Sequence, residues 1–369
     1  MTKMRKSLMA IVLFSLIFLP LLAKAEENNA PSPSVIKLSI SDIEATLSGG
    51  VSGAFFYSNN EGSGHGHNRA SKWVLTNDLF DLNLESKTYP VSLDIGLGGV
   101  ATPALTGAIH DNDSAPDFRV EYADFSVSPI EGLTLEGGLL EPVAGYEDTY
   151  TFRNKNITVG VVASQQPYNA YGARATYTIK GYGGPDVDVF YGYYRNRLED
   201  GEYAEYIKPH DAWETGFSTN VLNTDITLYH YHINGIRSLT GIAIERDMDI
   251  LYVAFNMDYW KWSNFLRREE GIKGDHSIGA ALYVSVRPCK PFELPLRVEY
   301  IDQCKSGIYI DNAAGDIYAI TVTPTIHLTD NTYARVEGAY VHNNDGFEDS
   351  RGHSADHKWY VGTELGFKF

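Results

Sequence analysis

The chain has 369 residues, 43% of them hydrophobic, and 30 Lys and Arg against 47 Asp and Glu give a formal net charge of −17. So acidic a balance excludes a nucleic-acid binder, which needs clustered cations to meet phosphate. Beyond the N-terminus no apolar run approaches the roughly 20 residues that a membrane helix requires, which excludes a helical membrane protein.

The first element is a signal. Lys3, Arg5 and Lys6 precede an apolar run from Leu8 to Leu22, and Ala23-Lys24-Ala25 supplies a small-x-small cleavage site. The pattern predicts a secretory signal peptide over residues 1–25, with Glu26 first in the mature chain. A membrane anchor would need a longer apolar run. Losing Lys3, Arg5, Lys6 and Lys24 takes the formal charge to about −21. Residues 26–40, polar and carrying Pro31 and Pro33, read as a flexible periplasmic leader.

From residue 41 to 369 strand and turn signals repeat without a break in composition, so this stretch reads as one domain. Alternation at period two predicts strands near 43–57, 71–86, 89–99, 118–128, 132–140, 171–181, 185–196 and 211–221. It predicts further strands near 223–234, 237–247, 249–260, 274–287, 295–302, 315–328, 331–341 and 357–369. An exported chain with no helical span crosses a bilayer only as a closed barrel, because every backbone polar group must be paired inside lipid. The expected fold is therefore all-β, an up-and-down antiparallel transmembrane β-barrel of about sixteen strands, with about fourteen or eighteen as alternatives. The 25 Tyr and 34 Gly suit aromatic girdles and tight turns, although a secreted β-sandwich would also carry them.

The connections alternate in length. Gly181–Pro185, Asn220–Thr224 and Thr329–Asn331 read as short periplasmic turns, and Asn59–Ala70, Thr102–Asp117, Arg197–His210, Asp302–Gly315 and His342–His357 as long outer loops. The connection from Glu141 to Ala170 is the longest and carries Tyr146, Tyr150, Arg153 and Lys155. Loops of that length inside a compact domain are usually functional, so it is a candidate constriction that folds into the lumen, with an exposed surface loop as the alternative. At the C-terminus Trp359, Val361, Thr363, Leu365, Phe367 and Phe369 hold alternate positions up to the last residue. A final aromatic residue closing such a strand resembles the assembly signal of outer-membrane barrels.

Several residue groups invite a chemical role. Arg-Val-Glu occurs three times, as Arg119-Val120-Glu121, Arg297-Val298-Glu299 and Arg335-Val336-Glu337. Arg and Glu two positions apart share a strand face, and charge on the lipid face costs a few kcal/mol, roughly 2–4 at the midplane for Arg. All six, together with Arg174, are therefore candidate pore-lining residues, either setting a transverse field or neutralising one another as a structural ladder. Acid in the lumen would favour cations; acid on the loops would bind divalent ions or keep them solvated. His65 and His67, His110 beside Asp111 and Asp113, and His342, His353 and His357 near Asp345, Glu348, Asp349 and Asp356 suit metals by type. Loop spacing fixes no coordination geometry, however, and no metal site is expected. His230 and His232 share a strand face and read as lumen-lining. His232, Asn234 and Ser238 match no catalytic motif, so no catalytic residue and no cofactor is expected. Cys289 and Cys304 fall at opposite ends of one crossing strand, roughly 40–50 Å apart if extended, and should not pair.

The segment Val120–Tyr122, the run Gly138-Leu139-Leu140-Glu141-Pro142-Val143-Ala144-Gly145-Tyr146-Glu147 and Tyr171-Gly172-Ala173-Arg174-Ala175-Thr176-Tyr177 resemble the beta-barrel porin-2 (OmpL-like) family of bacterial outer-membrane porins. Leu296-Arg297-Val298-Glu299-Tyr300 and the final strand to Phe369 are similar to that family's closing hairpins. The family usually carries a cation where this chain has Leu139 or Leu140, so no charge role is carried over there. The resemblance spans most of the mature chain and implies a porin with no particular solute. The expected function is passive diffusion of small hydrophilic solutes or ions through the outer membrane, with a cation preference. Expected partners are outer-membrane lipid, the permeating solutes and further copies of the chain, as in a trimer. A barrel-anchored adhesin or receptor acting through acidic loops is the alternative.

Overall fold

The computed structural model describes residues 35–59, 69–107, 114–196, 210–269, 274–304, 315–348 and 354–369. The expected signal peptide, with its cleavage site, and most of the expected leader lie outside them. So do His65, His67, His110, Asp111, Asp113, Asp349 and His353.

Eighteen strands form one sheet. They are β1 (Ile36–Ile40), β2 (Ile43–Asn59), β3 (Arg69–Ser86), β4 (Val91–Val100), β5 (Arg119–Ile130), β6 (Leu133–Leu140), β7 (Ala170–Ile179), β8 (Val187–Asn196) and β9 (His210–Asn220). The rest are β10 (Asp225–Ile233), β11 (Arg237–Met248), β12 (Leu251–Trp262), β13 (His276–Cys289), β14 (Phe292–Asp302), β15 (Ile317–Val322), β16 (Thr325–His327), β17 (Thr332–Glu348) and β18 (Ser354–Lys368). Every neighbouring pair is antiparallel, and the ring closes where β18 pairs with β2 from Tyr360↔Ser58 to Lys368↔Gly50. β15 and β16 both lie between β14 and β17. They are one wall strand broken at Pro324, which has no N–H to donate to the ladder. Among the described residues β1 pairs with the first residues of β2, Ile43–Leu47, and adds no further wall strand, so the wall is a closed sixteen-strand barrel. Closure removes the sheet edges, the condition for placing strands in lipid.

All sixteen expected strands are present. Two boundaries differ. Residues 36–40, read as the end of the leader, form β1, because Ile36 and Leu38 alternate opposite Leu47 and Ala45. The last loop is shorter than 342–357: the hairpin of β17 and β18 continues past a register shift, with His342 opposite His357 and Glu348 opposite Ser354.

The short turns gather at the end where the C-terminus lies, and most connections at the other end are longer; the exception is the three-residue link Asn234–Ile236 between β10 and β11. Along β18 Trp359, Val361, Leu365 and Phe367 are exposed on the outer face, while Tyr360 and Glu364 are buried inside. Outward Trp73, Tyr171, Tyr193, Tyr259 and Trp359 stand near the long-loop end, and Tyr177 and Phe367 near the turn end. These are the two interfacial girdles of a bilayer-spanning wall. Cys289 ends β13 and Cys304 follows β14, so the strand between holds them apart, and neither is in a disulfide.

Candidate functional site

Period two decides which side chains enter the barrel. Val120, Val298 and Val336, the centres of the three Arg-Val-Glu triplets, are exposed on the outer wall. The flanking pairs turn inward: Arg119 Nε meets Glu121 Oε1 at 2.9 Å, Arg297 Nε meets Glu299 Oε2 at 3.0 Å, and Arg335 donates to Glu364 on the next strand. Arg174 is held by both oxygens of Glu136, at 2.7 and 2.9 Å. Arg174, Arg297 and Arg335 thus carry their charge inside the barrel, whereas Arg119, at the start of β5, keeps 66% of its side-chain surface exposed.

Inside, however, the charges of β14, β17 and β18 meet a loop rather than water. The connection from Glu141 to Asn169 lies against the inner wall. Glu337 accepts the N–H of Ile157 at 2.6 Å and of Thr158 at 3.0 Å, and the hydroxyls of Thr158 and Thr323 at 2.6 and 2.9 Å. Glu299 accepts Val162 N–H at 3.0 Å, and Glu214 of β9 accepts Val143 N–H at 3.0 Å. The arginines take the carbonyls: Arg297 donates to Thr158 O at 2.8 Å, and Arg335 to Thr151 O at 2.7 Å and Asn154 O at 3.0 Å. Gln166 reaches Asn256 and Asp258 of β12 at 2.9 and 2.7 Å. A loop without a sheet of its own must satisfy its buried backbone groups elsewhere, and here the wall's charged side chains do it.

The loop also brings apolar surface. Ile157, Val161 and Val162 are buried in one cluster with Phe56, Trp260, Ile301, Ile317 and Val341 of the wall, and Ala163 is buried beside them in sequence. Close approach depends on Gly160, whose N–H is bound by Glu147 at 2.8 Å. A Cβ there would stand 2.4 Å from Glu299 Oε1 and 3.0 Å from Glu147 Oε1. Gly160→Ala is therefore expected to lift this stretch off the wall and cost roughly 1–3 kcal/mol by overpacking. Thermal melting followed by circular dichroism in detergent measures it; an unchanged midpoint would mean that the wall yields instead.

The four loop residues singled out from sequence all lie within the barrel. Tyr146 packs tilted against Tyr283, 4.6 Å between ring centres, and its hydroxyl meets that of Tyr252. Tyr150 is buried with Leu79, Tyr122 and Phe152. Arg153 spans from Asp148 of the loop to Asp81 of β3, both at 3.3 Å, and Lys155 meets Glu293 of β14 at 2.9 Å. Burial opposes charge on Arg153, yet Asp148 and the Tyr122 hydroxyl outweigh it and hold the guanidinium above its ordinary pKa. Burial raises the Glu141 carboxyl above its usual range, and Asp148 adds to the effect.

Two cavities remain beside the loop. One of about 330 Å³, on the long-loop side, includes Thr102, Glu141, Tyr146, Glu147, Asp148 and Tyr168. The other, about 310 Å³, includes Glu147, Asp148, Arg153, Lys155, Glu245 and Asp247. Tyr146, Glu147 and Asp148 border both, so this short stretch stands between the two compartments. On β3 to β8 the acids Asp81, Asp94, Asp124, Glu136 and Asp188 stay part-exposed.

Sequence reasoning missed Glu147, Glu214 and Glu364, three of the acids that hold the loop. The apolar run Ile157–Ala163 inside a polar connection was the available signal, since such a run must find a core. The expectation for His230 and His232 is corrected: Tyr229, Tyr231 and Ile233 are buried inside, and the two imidazoles face outward around Trp213, at 5.0 and 5.4 Å between ring centres. Among the described residues no group of three His, Cys, Asp or Glu side chains has the arrangement to hold a metal ion.

A sixteen-strand barrel with girdled exterior and a charged interior folded over an inward loop defines the class of outer-membrane porins and channels. Residues 44–369 match the family model described as Putative beta-barrel porin-2, OmpL-like, and the chain belongs to that family of the outer membrane. Similar solved structures include Pseudomonas putida OprB at high pH (TM-score 0.59, 9% identity, 88% of this chain and 94% of that one). Salmonella typhi OmpF in complex with daunomycin is similar at TM-score 0.59 and 9% identity, over 90% of this chain and 100% of that one. The outer-membrane channel DcaP of Acinetobacter baumannii follows at TM-score 0.52 and 11% identity, over 92% and 100%. At these identities the likeness is one of fold. No curated protein sequence matches the chain.

Proposed function

We propose that the chain, exported and cleaved after Ala25, forms a water-filled, non-enzymatic channel for small hydrophilic solutes, with a preference for cations. Arg119, Glu121, Arg174, Arg297, Glu299, Arg335 and Glu337 are its inward charges, of which Arg297, Glu299, Arg335 and Glu337 fix the loop. Tyr146, Tyr150, Arg153 and Lys155 belong to the constricting segment. One observation carries the reading: five acids, Glu141, Glu147, Asp148, Glu245 and Asp247, line the two cavities and outnumber the cations that meet them, Arg153 and Lys155 in the lining with Arg297 on Glu147 and Arg287 on Asp247. A net negative lining concentrates cations and repels anions along a narrow path. Assembly into trimers belongs to the same proposal.

Reversal potentials of the detergent-purified protein in a planar bilayer under asymmetric salt test it. Discrete conducting steps with a cation-selective potential are expected. Anion selectivity would overturn the preference, and insertion without conductance would move the function from the pore to the loops.

A further inference from the structure

The wall arginines and Arg153 are held in different ways. Arg297 and Arg335 are buried and tied by short bonds to carboxylates and loop carbonyls, and Arg174 is bidentate on Glu136. The Arg153 side chain keeps 31% of its surface exposed, and its polar contacts are single and long: 3.3 Å to Asp81, 3.3 Å to Asp148 and 3.4 Å to the Tyr122 hydroxyl. Contacts of that length lie just beyond the usual hydrogen-bond range, so charge attraction rather than a set of short, aligned bonds holds the guanidinium. Its guanidinium carbon stands over the rings of Tyr150 and Phe152, at 5.4 and 5.8 Å from their centres, so its seat is a carboxylate pair on an aromatic platform.

The wall opposite gathers acidic side chains. Asp94 of β4 lies directly across the ladder from Asp124 of β5. Like charges opposite each other destabilise a sheet, and water or a mobile cation relieves the repulsion.

We propose that Arg153 is the selectivity-setting residue of the pore, a tethered counter-cation whose guanidinium occupies the place that a permeating guanidinium solute takes, between Asp148 and the acidic wall at Asp81. A solute guanidinium has the same planar donor fork and the same affinity for an aromatic face as the side chain it displaces. Arg153 then does two things. It lowers the net negative charge at the narrow segment, and it limits how long a cation pauses there. The proposal rests on the conducting-pore reading above.

The test compares the full-length mature protein with R153Q and R153K in planar bilayers, with agmatine as the probe, a guanidinium joined to a primary amine. R153Q is expected to raise the cation-to-anion permeability ratio roughly threefold and tighten agmatine block roughly tenfold, the scale of removing one unit charge from a partly shielded site. R153K keeps the charge and should stay near wild type in permeability ratio. Unchanged ratio and block in R153Q would overturn the proposal, and so would equal changes in K155Q, which would make the effect one of total charge. If the wild-type protein passes no ions, the pore reading fails by itself. Calorimetric titration of agmatine into the detergent-solubilised proteins then decides this proposal: tighter binding to R153Q supports it, and equal binding overturns it.

Discussion

Arg297→Met is expected to destabilise the barrel by about 3–5 kcal/mol, the cost of stripping the partner from a buried ion cluster. The guanidinium is fully buried, 2.7 Å from Glu147 and 3.0 Å from Glu299, and donates to Thr158 O at 2.8 Å. Without it Glu299 and Glu147 are left as neighbouring buried acids, and one loop carbonyl loses its donor. Methionine fills much of the volume, so the loss is electrostatic rather than a cavity. The midpoint of the heat-induced gel-mobility shift from folded to unfolded barrel should fall clearly. Adding E147Q and E299Q in the same chain should recover a large part of it, because a neutral set needs no counter-charge. A triple variant as unstable as R297M would point to packing instead.

Glu337→Ala should act on the loop and leave the wall. Its carboxylate is the acceptor for Ile157 N–H, Thr158 N–H and Thr158 Oγ1. Orphaning buried donors costs about 1–3 kcal/mol each, which the loop avoids by leaving the wall and meeting water. The expected result is a larger, noisier single-channel conductance. Trypsin should cut after Arg153 or Lys155 at least about tenfold faster, as a local opening cheaper by roughly 1.4 kcal/mol predicts. Cleavage at the wild-type rate with a normal conductance would show that Arg335 and Arg297 hold the segment without Glu337.

Period-two alternation made the sixteen wall strands legible, as well as the inward turn of the Arg-Val-Glu charges. Each is a local property, since one step along a strand reverses the face. Loop 141–170 was legible as a long, aromatic, cationic connection. Its position was not, because the wall acids that receive its backbone lie on β9, β14 and β17, as many as 180 residues away from it in sequence. His230 and His232 show the same limit. Their spacing places them on one face, but which face depends on what fills the barrel. The usual rule sends polar residues to a wet lumen. Beside β10 the lumen is occupied by the apolar loop core, so tyrosines and isoleucine turn in and the imidazoles join the aromatic band outside.

By itself, then, the sequence determined the class of protein: a barrel of alternating strands, short turns at one end and longer loops at the other, an aromatic close and an acidic balance. Those features follow from the pleat and from the bilayer's refusal of unpaired backbone, and they act residue by residue. Only the tertiary structure decided that part of the interior is a packed core, that wall charges such as Arg297, Glu299, Arg335, Glu337 and Glu214 are anchors for a loop, and that Arg153 and Asp148 stand beside the remaining space. The reason is physical. Burial and pairing of charge depend on distances between groups far apart in the chain, and a strand's alternation carries no information about what fills the space in front of it.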